Sequence, residues 1–158
     1  MTKLITLCTM FFLALSCQAQ DSTWYFVRHF EKQTGDDPHL NELGQQNAQS
    51  LVTALKGKKL NKIYSTQYNR TLESATPLAT ERGLEIIIYD PAKLAFFAEQ
   101  IKAENHILIV GHSNTTPQLI RLMGMETADL TEEDYGQLFT LTNEQKQLNL
   151  LIQNLRAN

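Results

Sequence analysis

The chain has 158 residues, 42% of them hydrophobic and 20% charged, with a formal net charge of −3. That is one domain's worth of ordinary globular material, which excludes a disordered chain. The mild negative balance excludes the basic face that a nucleic-acid partner requires.

Residues 1–19 read as a removable leader. Lys3 is the only charge before Asp21, Leu4 to Leu15 is mostly apolar, and Ser16-Cys17-Gln18-Ala19-Gln20 follows with small and polar residues. A short basic start, an apolar centre and a small-residue end make a signal peptide. The apolar part is shorter than the ~20 residues a membrane helix needs, which ranks an uncleaved anchor lower. The expectation is cleavage after Ala19, export to the periplasm, no membrane span after cleavage and a mature domain over residues 20–158. Lipid attachment through Cys17 is the second possibility, although Leu15 is bulkier than a lipobox prefers. Both cysteines, Cys8 and Cys17, fall in the leader. The mature domain therefore has no disulfide, no thiol nucleophile and no cysteine-held metal.

Along the mature chain, four short apolar runs read as buried strands: Thr23 to Val27, Lys62 to Ser65, Glu85 to Tyr89 and His106 to Val110. Helical spacing lies between them. Leu40 to Gly44 leads into Ala48, Leu51, Val52 and Leu55 on one face. Asn69 to Thr80 carries Leu72, Ala75, Leu78 and Ala79, with Pro77 expected to bend or shorten it. Lys93 to Lys102 sets Leu94, Phe97 and Ile101 on one side, and Thr116 to Met123 opens with Pro117, a good first-turn residue. Gln137 to Thr142 and Gln147 to Ile152 flank Asn143-Glu144-Gln145-Lys146 as an antiparallel hairpin, with helix the competing reading for 147–155. Strands alternating with helices predict an α/β domain, a mainly parallel sheet flanked by helices, closed by that C-terminal antiparallel hairpin.

In such sheets, ligands bind beyond the carboxyl ends of the strands. Three strands end in Val27-Arg28-His29-Phe30-Glu31-Lys32, Tyr64-Ser65-Thr66-Gln67-Tyr68-Asn69-Arg70 and Val110-Gly111-His112-Ser113-Asn114-Thr115. Two arginines and two histidines thus reach one sheet edge. Planar guanidinium groups suit a phosphate dianion, so Arg28 and Arg70 are candidate clamps. A neutral imidazole is a nucleophile near pH 7, and a second one, once protonated, donates to phosphoryl oxygens. Singly, each of these has a plainer reading: a satisfied Arg-His pair, or a solvated arginine opening a helix. Their shared placement favours chemistry.

The three motifs together, from about Trp24 to Phe139, resemble the histidine phosphatase superfamily, the phosphoglycerate mutase-like group, and its small-domain branch 1. The resemblance implies that His29 is the nucleophile, that Arg28 and Arg70 hold phosphate, that His112 completes the pocket, and that no metal or organic cofactor is used. Phe30 departs from the glycine of the best-known members. The glutamate that many members carry after the third strand has no clear counterpart. Asp90 is the candidate general acid, with a helix-cap role before Pro91 as its plain alternative; Glu99 is a poorer candidate. Ser113 replaces the aspartate that follows the second histidine in another branch. Asn114 is a candidate phosphate donor or helix cap, Glu31 and Lys32 line the pocket mouth or form a solvated pair, and His39 and His106 are structural. The expected partner is a small phosphorylated substrate or a phosphoprotein, hydrolysed through a phosphohistidine. A phosphomutase and a non-catalytic phospholigand-binding domain are the alternatives. Oligomeric state is not readable.

Overall fold

The computed structural model describes residues 21–156. The leader and Cys17 lie outside the described residues. No helix among the described residues is long and apolar enough to cross a membrane.

Six strands form one sheet: β1 (Ser22–Arg28), β2 (Lys62–Ser65), β3 (Ile86–Ile88), β4 (Ile107–Gly111), β5 (Gln137–Glu144) and β6 (Gln147–Asn154), in spatial order β3-β2-β4-β1-β5-β6. β1 to β4 are mutually parallel, while β5 and β6 add antiparallel at one edge. The helices are α1 (Glu42–Ala54), α2 (Asn69–Arg82), α3 (Leu94–Lys102) and α4 (Thr115–Leu122), with a 3-10 turn at Pro91–Lys93.

Alternation along β1 shows why the central strands are apolar throughout. Trp24 and Phe26 pack with Leu94, Phe97 and Ile101 of α3 and with Leu119 and Ile120 of α4. Tyr25 and Val27 point the other way, to Ala48 and Leu51 of α1 and Ala75 and Leu78 of α2. A strand covered by helices on both faces buries odd and even residues alike. The indole N–H of Trp24 is satisfied by Ile101 O at 2.8 Å.

Two local features differ from expectation. α2 continues through Pro77 to Arg82 and ends at Gly83, whose φ of 62° supplies the left-handed cap. Burial of Ala75, Leu78 and Ala79 on either side of Pro77 carries the helix past the missing donor. The hairpin turn is tighter than the four residues expected. Only Gln145 and Lys146 lie between β5 and β6, both at positive φ (52° and 69°), as a two-residue turn matched to strand twist requires. The strand expected from Gln147 to Ile152 is present, running on to Asn154, and the competing helix over 147–155 is not formed.

Candidate active site

The carboxyl ends of β1, β2 and β4 lie side by side because the register pairs Arg28 with Gly111 and Ser65 with Val110. His29 continues this pairing, its N–H donating to Gly111 O at 2.9 Å. Phe30 N donates to Ser74 Oγ at 3.0 Å, and that hydroxyl donates to Arg70 O at 2.7 Å. The turn carrying His29 is thereby tied to the helix carrying Arg70. After β4, His112 N donates to Thr115 Oγ1 at 2.8 Å. Gly111 is needed at this corner, since a Cβ there would stand 2.7 Å from Thr115 Oγ1 and 2.9 Å from Tyr89 Oη.

Arg28, His29, Arg70, His112 and Asn114 line one cleft of about 480 Å³, with Lys32, Tyr68, Ser113 and Glu132 also in its wall. The imidazole rings of His29 and His112 meet edge to face, their centroids 5.6 Å apart. His29 Nδ1 is 2.8 Å from Phe30 O. A carbonyl only accepts, so Nδ1 carries the proton and Nε2 keeps its lone pair. Burial, assisted by the charges of Arg28, His112 and Arg70, pushes the His29 pKa down to about 3. The ring is neutral across the ordinary pH range.

His112 has the opposite arrangement. Arg70 Nη2, which can only donate, lies 3.4 Å from Nδ1, and Nε2 lies 2.9 Å from Thr66 Oγ1. Nε2 therefore holds the proton and donates a hydrogen bond to Thr66, whose hydroxyl meets Thr71 Oγ1 at 2.9 Å. Burial first, then Arg70 and Arg28, push its pKa down to about 4. Nδ1 is the nitrogen left to take a second proton when an anion arrives.

The two guanidinium groups are not fully paired. Arg28 Nε and Arg70 Nε and Nη1 are buried with no hydrogen-bond partner; Arg70 Nη1 forms a long ion pair with Asp37 Oδ1 at 3.5 Å. Buried donors of this kind are costly unless a ligand completes them. Arg28 also stacks on Tyr135, 3.8 Å from guanidinium carbon to ring centroid, and Arg70 lies 4.6 Å over Tyr68.

Residues 24–91 match the histidine phosphatase superfamily (branch 1). The match takes in Arg28, His29 and Arg70, and stops short of His112. Solved structures of several phosphatases share the fold. The alpha-ribazole phosphatase of Shigella flexneri is 19% identical, covering 85% of this chain and 97% of its own, with a TM-score of 0.63. A mycobacterial glucosyl-3-phosphoglycerate phosphatase is 12% identical over 88% and 100%, with a TM-score of 0.67. The protein histidine phosphatase SixA, in complex with tungstate, is 11% identical over 84% and 97%, with a TM-score of 0.66. A search of curated protein sequences finds no match.

Asn114 lines the cleft and makes no side-chain cap on α4. Asp90 is placed otherwise. Its Oδ1 accepts from Ala92 N at 2.9 Å and its Oδ2 lies 3.6 Å from Lys93 Nζ. Pro91 and Ala92, not the Asp90 carboxylate, form the cleft wall there. The reason is local: aspartate ahead of proline satisfies the free N–H groups that open a helical turn. Glu31 faces inward, its Oε2 accepting from Asn47 at 2.8 Å. His39 pairs with Glu73 at the surface. Thr66, Tyr135 and Glu132 were not singled out from sequence. The signal available for the last two was indirect: an arginine buried to 2% exposure needs an anionic or aromatic partner. No grouping of three or more His, Cys, Asp or Glu fit to hold a metal occurs among the described residues.

Proposed function

We propose that the chain is a phosphatase that hydrolyses phosphomonoesters, or a phosphohistidine on a protein, through a phosphohistidine intermediate on His29. One observation carries this reading: buried guanidinium nitrogens of Arg28 and Arg70 that lack a hydrogen-bond partner belong to the same cleft as a neutral imidazole whose Nε2 lone pair is free. The family match over residues 24–91 supports it.

Arg28 and Arg70 bind and orient the phosphoryl group. His29 Nε2 attacks phosphorus, and water then takes the phosphoryl group from His29. A bound dianion favours the charged form of His112, which then donates from Nδ1 to the oxygens that gain charge. Asn114 is a further donor at the cleft wall. The chemistry calls for no metal and no organic cofactor. The leader-like pattern of residues 1–19 supports a site of action outside the cytoplasm. The solved relatives are named for three different substrates, so the shared fold leaves the substrate to the cleft's own residues.

The test uses purified protein with an aryl phosphate whose leaving group needs little help. Wild type should turn over in the presence of a chelator. His29→Ala should lose roughly a thousand-fold or more. Rapidly quenched wild type should carry phosphate on His29 that survives alkali and is lost in acid. Full activity in His29→Ala would refute the proposal.

A further inference from the structure

Arg28 is engaged on its outer side by the segment between α4 and β5. Its Nη1 donates to Thr131 O at 2.6 Å, and its Nη2 donates to Glu132 Oε1 at 2.5 Å and Tyr135 Oη at 2.9 Å. Tyr135 Oη donates in turn to Glu132 Oε2 at 2.8 Å. The Glu132 side chain is 74% exposed, and among the described residues lining the phosphate cleft it alone bears a carboxyl group. A carboxylate thus stands directly on the arginine that is to hold phosphate, at the solvent side of the cleft.

We propose that Glu132 is the proton donor to the leaving group in the first step and the proton acceptor from water in the second. The inference rests on the phosphatase reading above. In-line displacement puts the leaving oxygen on the side of phosphorus opposite His29 Nε2. His29 is buried and Glu132 is the exposed carboxyl of the same cleft, so a leaving oxygen directed away from His29 toward solvent comes to the carboxylate's side. As the bond from His29 Nε2 to phosphorus forms, the bond from phosphorus to the leaving oxygen breaks. Its electron pair goes to that oxygen, which takes the Glu132 proton and departs as an alcohol. In the second step the Glu132 carboxylate removes a proton from the attacking water. The nitrogen–phosphorus electron pair returns to His29 Nε2, leaving inorganic phosphate and a protonated Glu132.

Proton affinity follows the cleft's occupancy. In the empty cleft the Arg28 hydrogen bond, then that of Tyr135, with Lys32 nearby, hold the Glu132 carboxyl below its usual range. His29, His112 and Arg70 face it across the cleft. A bound dianion offsets the positive charge of Arg28 and adds like charge beside the carboxyl, which favours protonation at the moment an acid is required. Asp90 has no such relation to the phosphate seat, since its carboxylate is held by Ala92 N and Lys93.

The experiment measures kcat/KM for a series of aryl and alkyl phosphates of rising leaving-group pKa, in wild type, Glu132→Gln and Asp90→Asn. Glu132→Gln should lose roughly a hundred- to ten-thousand-fold on alkyl esters and far less on activated aryl esters. The dependence on leaving-group pKa should therefore steepen, and inhibition by inorganic phosphate should persist or tighten. Asp90→Asn should keep the wild-type slope. An active wild type whose slope is unchanged in Glu132→Gln overturns the Glu132 assignment alone, as does a steeper slope in Asp90→Asn instead. Equal loss on both ester types, with weakened phosphate inhibition, overturns it in favour of a structural role. A wild type that turns over no ester at all overturns the phosphatase reading and this proposal together.

Discussion

The two histidines of the cleft are the same residue type in opposite protonation patterns, and their neighbours decide which is which. Phe30 O holds the His29 proton on Nδ1; Thr66 Oγ1 and Arg70 hold the His112 proton on Nε2. Thr66 is accordingly a positioning residue. Thr66→Val keeps the side-chain shape and leaves the His112 N–H without its acceptor, a loss of about 1–3 kcal/mol. Turnover of an aryl phosphate should fall through kcat more than through KM, because the second imidazole loses its orientation while the arginine clamps remain. Thr66→Ser, which restores the hydroxyl, should recover most of the rate. A valine variant with wild-type kcat would show that His112 is held by Arg70 alone.

The elements are held at the site by close approaches that tolerate little added volume. Gly44, in the first turn of α1, lies so near the turn after His29 that a Cβ there would stand 2.0 Å from Glu31 O. The same helix is capped by Asn41 Oδ1, which accepts from Gly44 N at 2.9 Å, while Asn41 N donates to Glu31 O at 3.0 Å. Gly44→Ala must push α1 away from that turn. It should cost about 1–3 kcal/mol in denaturant unfolding, the usual range for overpacking, with a parallel loss of activity. Gly57→Ala is the control: it lies at the surface with open space around it, and its φ of 74° restricts any loss to local backbone strain. Ser74 makes the matching connection on α2, between Phe30 N and Arg70 O. Loss of that hydroxyl should loosen the spacing between His29 and Arg70 more than it lowers overall stability.

For the whole molecule, burying two imidazoles near two guanidinium groups makes the empty protein acid-sensitive. The folded pKa values of His29 and His112 are pushed down to about 3 and about 4, whereas an unfolded histidine titrates near 6.5. Below that unfolded value the unfolded chain binds protons that the native state refuses, so stability falls as pH falls. The loss begins near pH 6.5 and continues until the folded groups titrate near 4 and 3. The melting temperature of ligand-free protein should drop between pH 7 and pH 5, and the drop should be smaller in His29→Gln and His112→Gln. Inorganic phosphate should oppose it, because bound anion favours the protonated form of His112. An equal drop in wild type and both variants would assign the acid sensitivity to other groups. The His39–Glu73 surface pair acts with the opposite sign, since that contact raises the His39 pKa. Its contribution is present below the unfolded value and is lost as pH rises through the folded one.

Much of this molecule is written in short-range pattern. Apolar runs such as Ile107 to Val110, helix spacing such as Leu94, Phe97 and Ile101, and the endings at Arg28-His29 and Gly111-His112 are local features. Parallel sheets place strand ends together, so those endings predicted a shared edge, and the strand pairings realise it. The hairpin was legible for the same reason, although its two-residue turn was not, because positive φ at Gln145 and Lys146 is imposed by strand register rather than by residue type. Continuity of α2 through Pro77 also escaped, since packing on both sides of the proline outweighs its missing donor. The roles of Asp90 and Glu132 depended on tertiary structure alone. Asp90 sits at a strand end in sequence, but a side chain of one methylene is captured by the nearest free N–H, at Ala92. Glu132 is 104 residues from Arg28 along the chain. No local spacing can bring that pair together, because which carboxylate meets a buried guanidinium is set by how the segment between α4 and β5 crosses the mouth of the sheet.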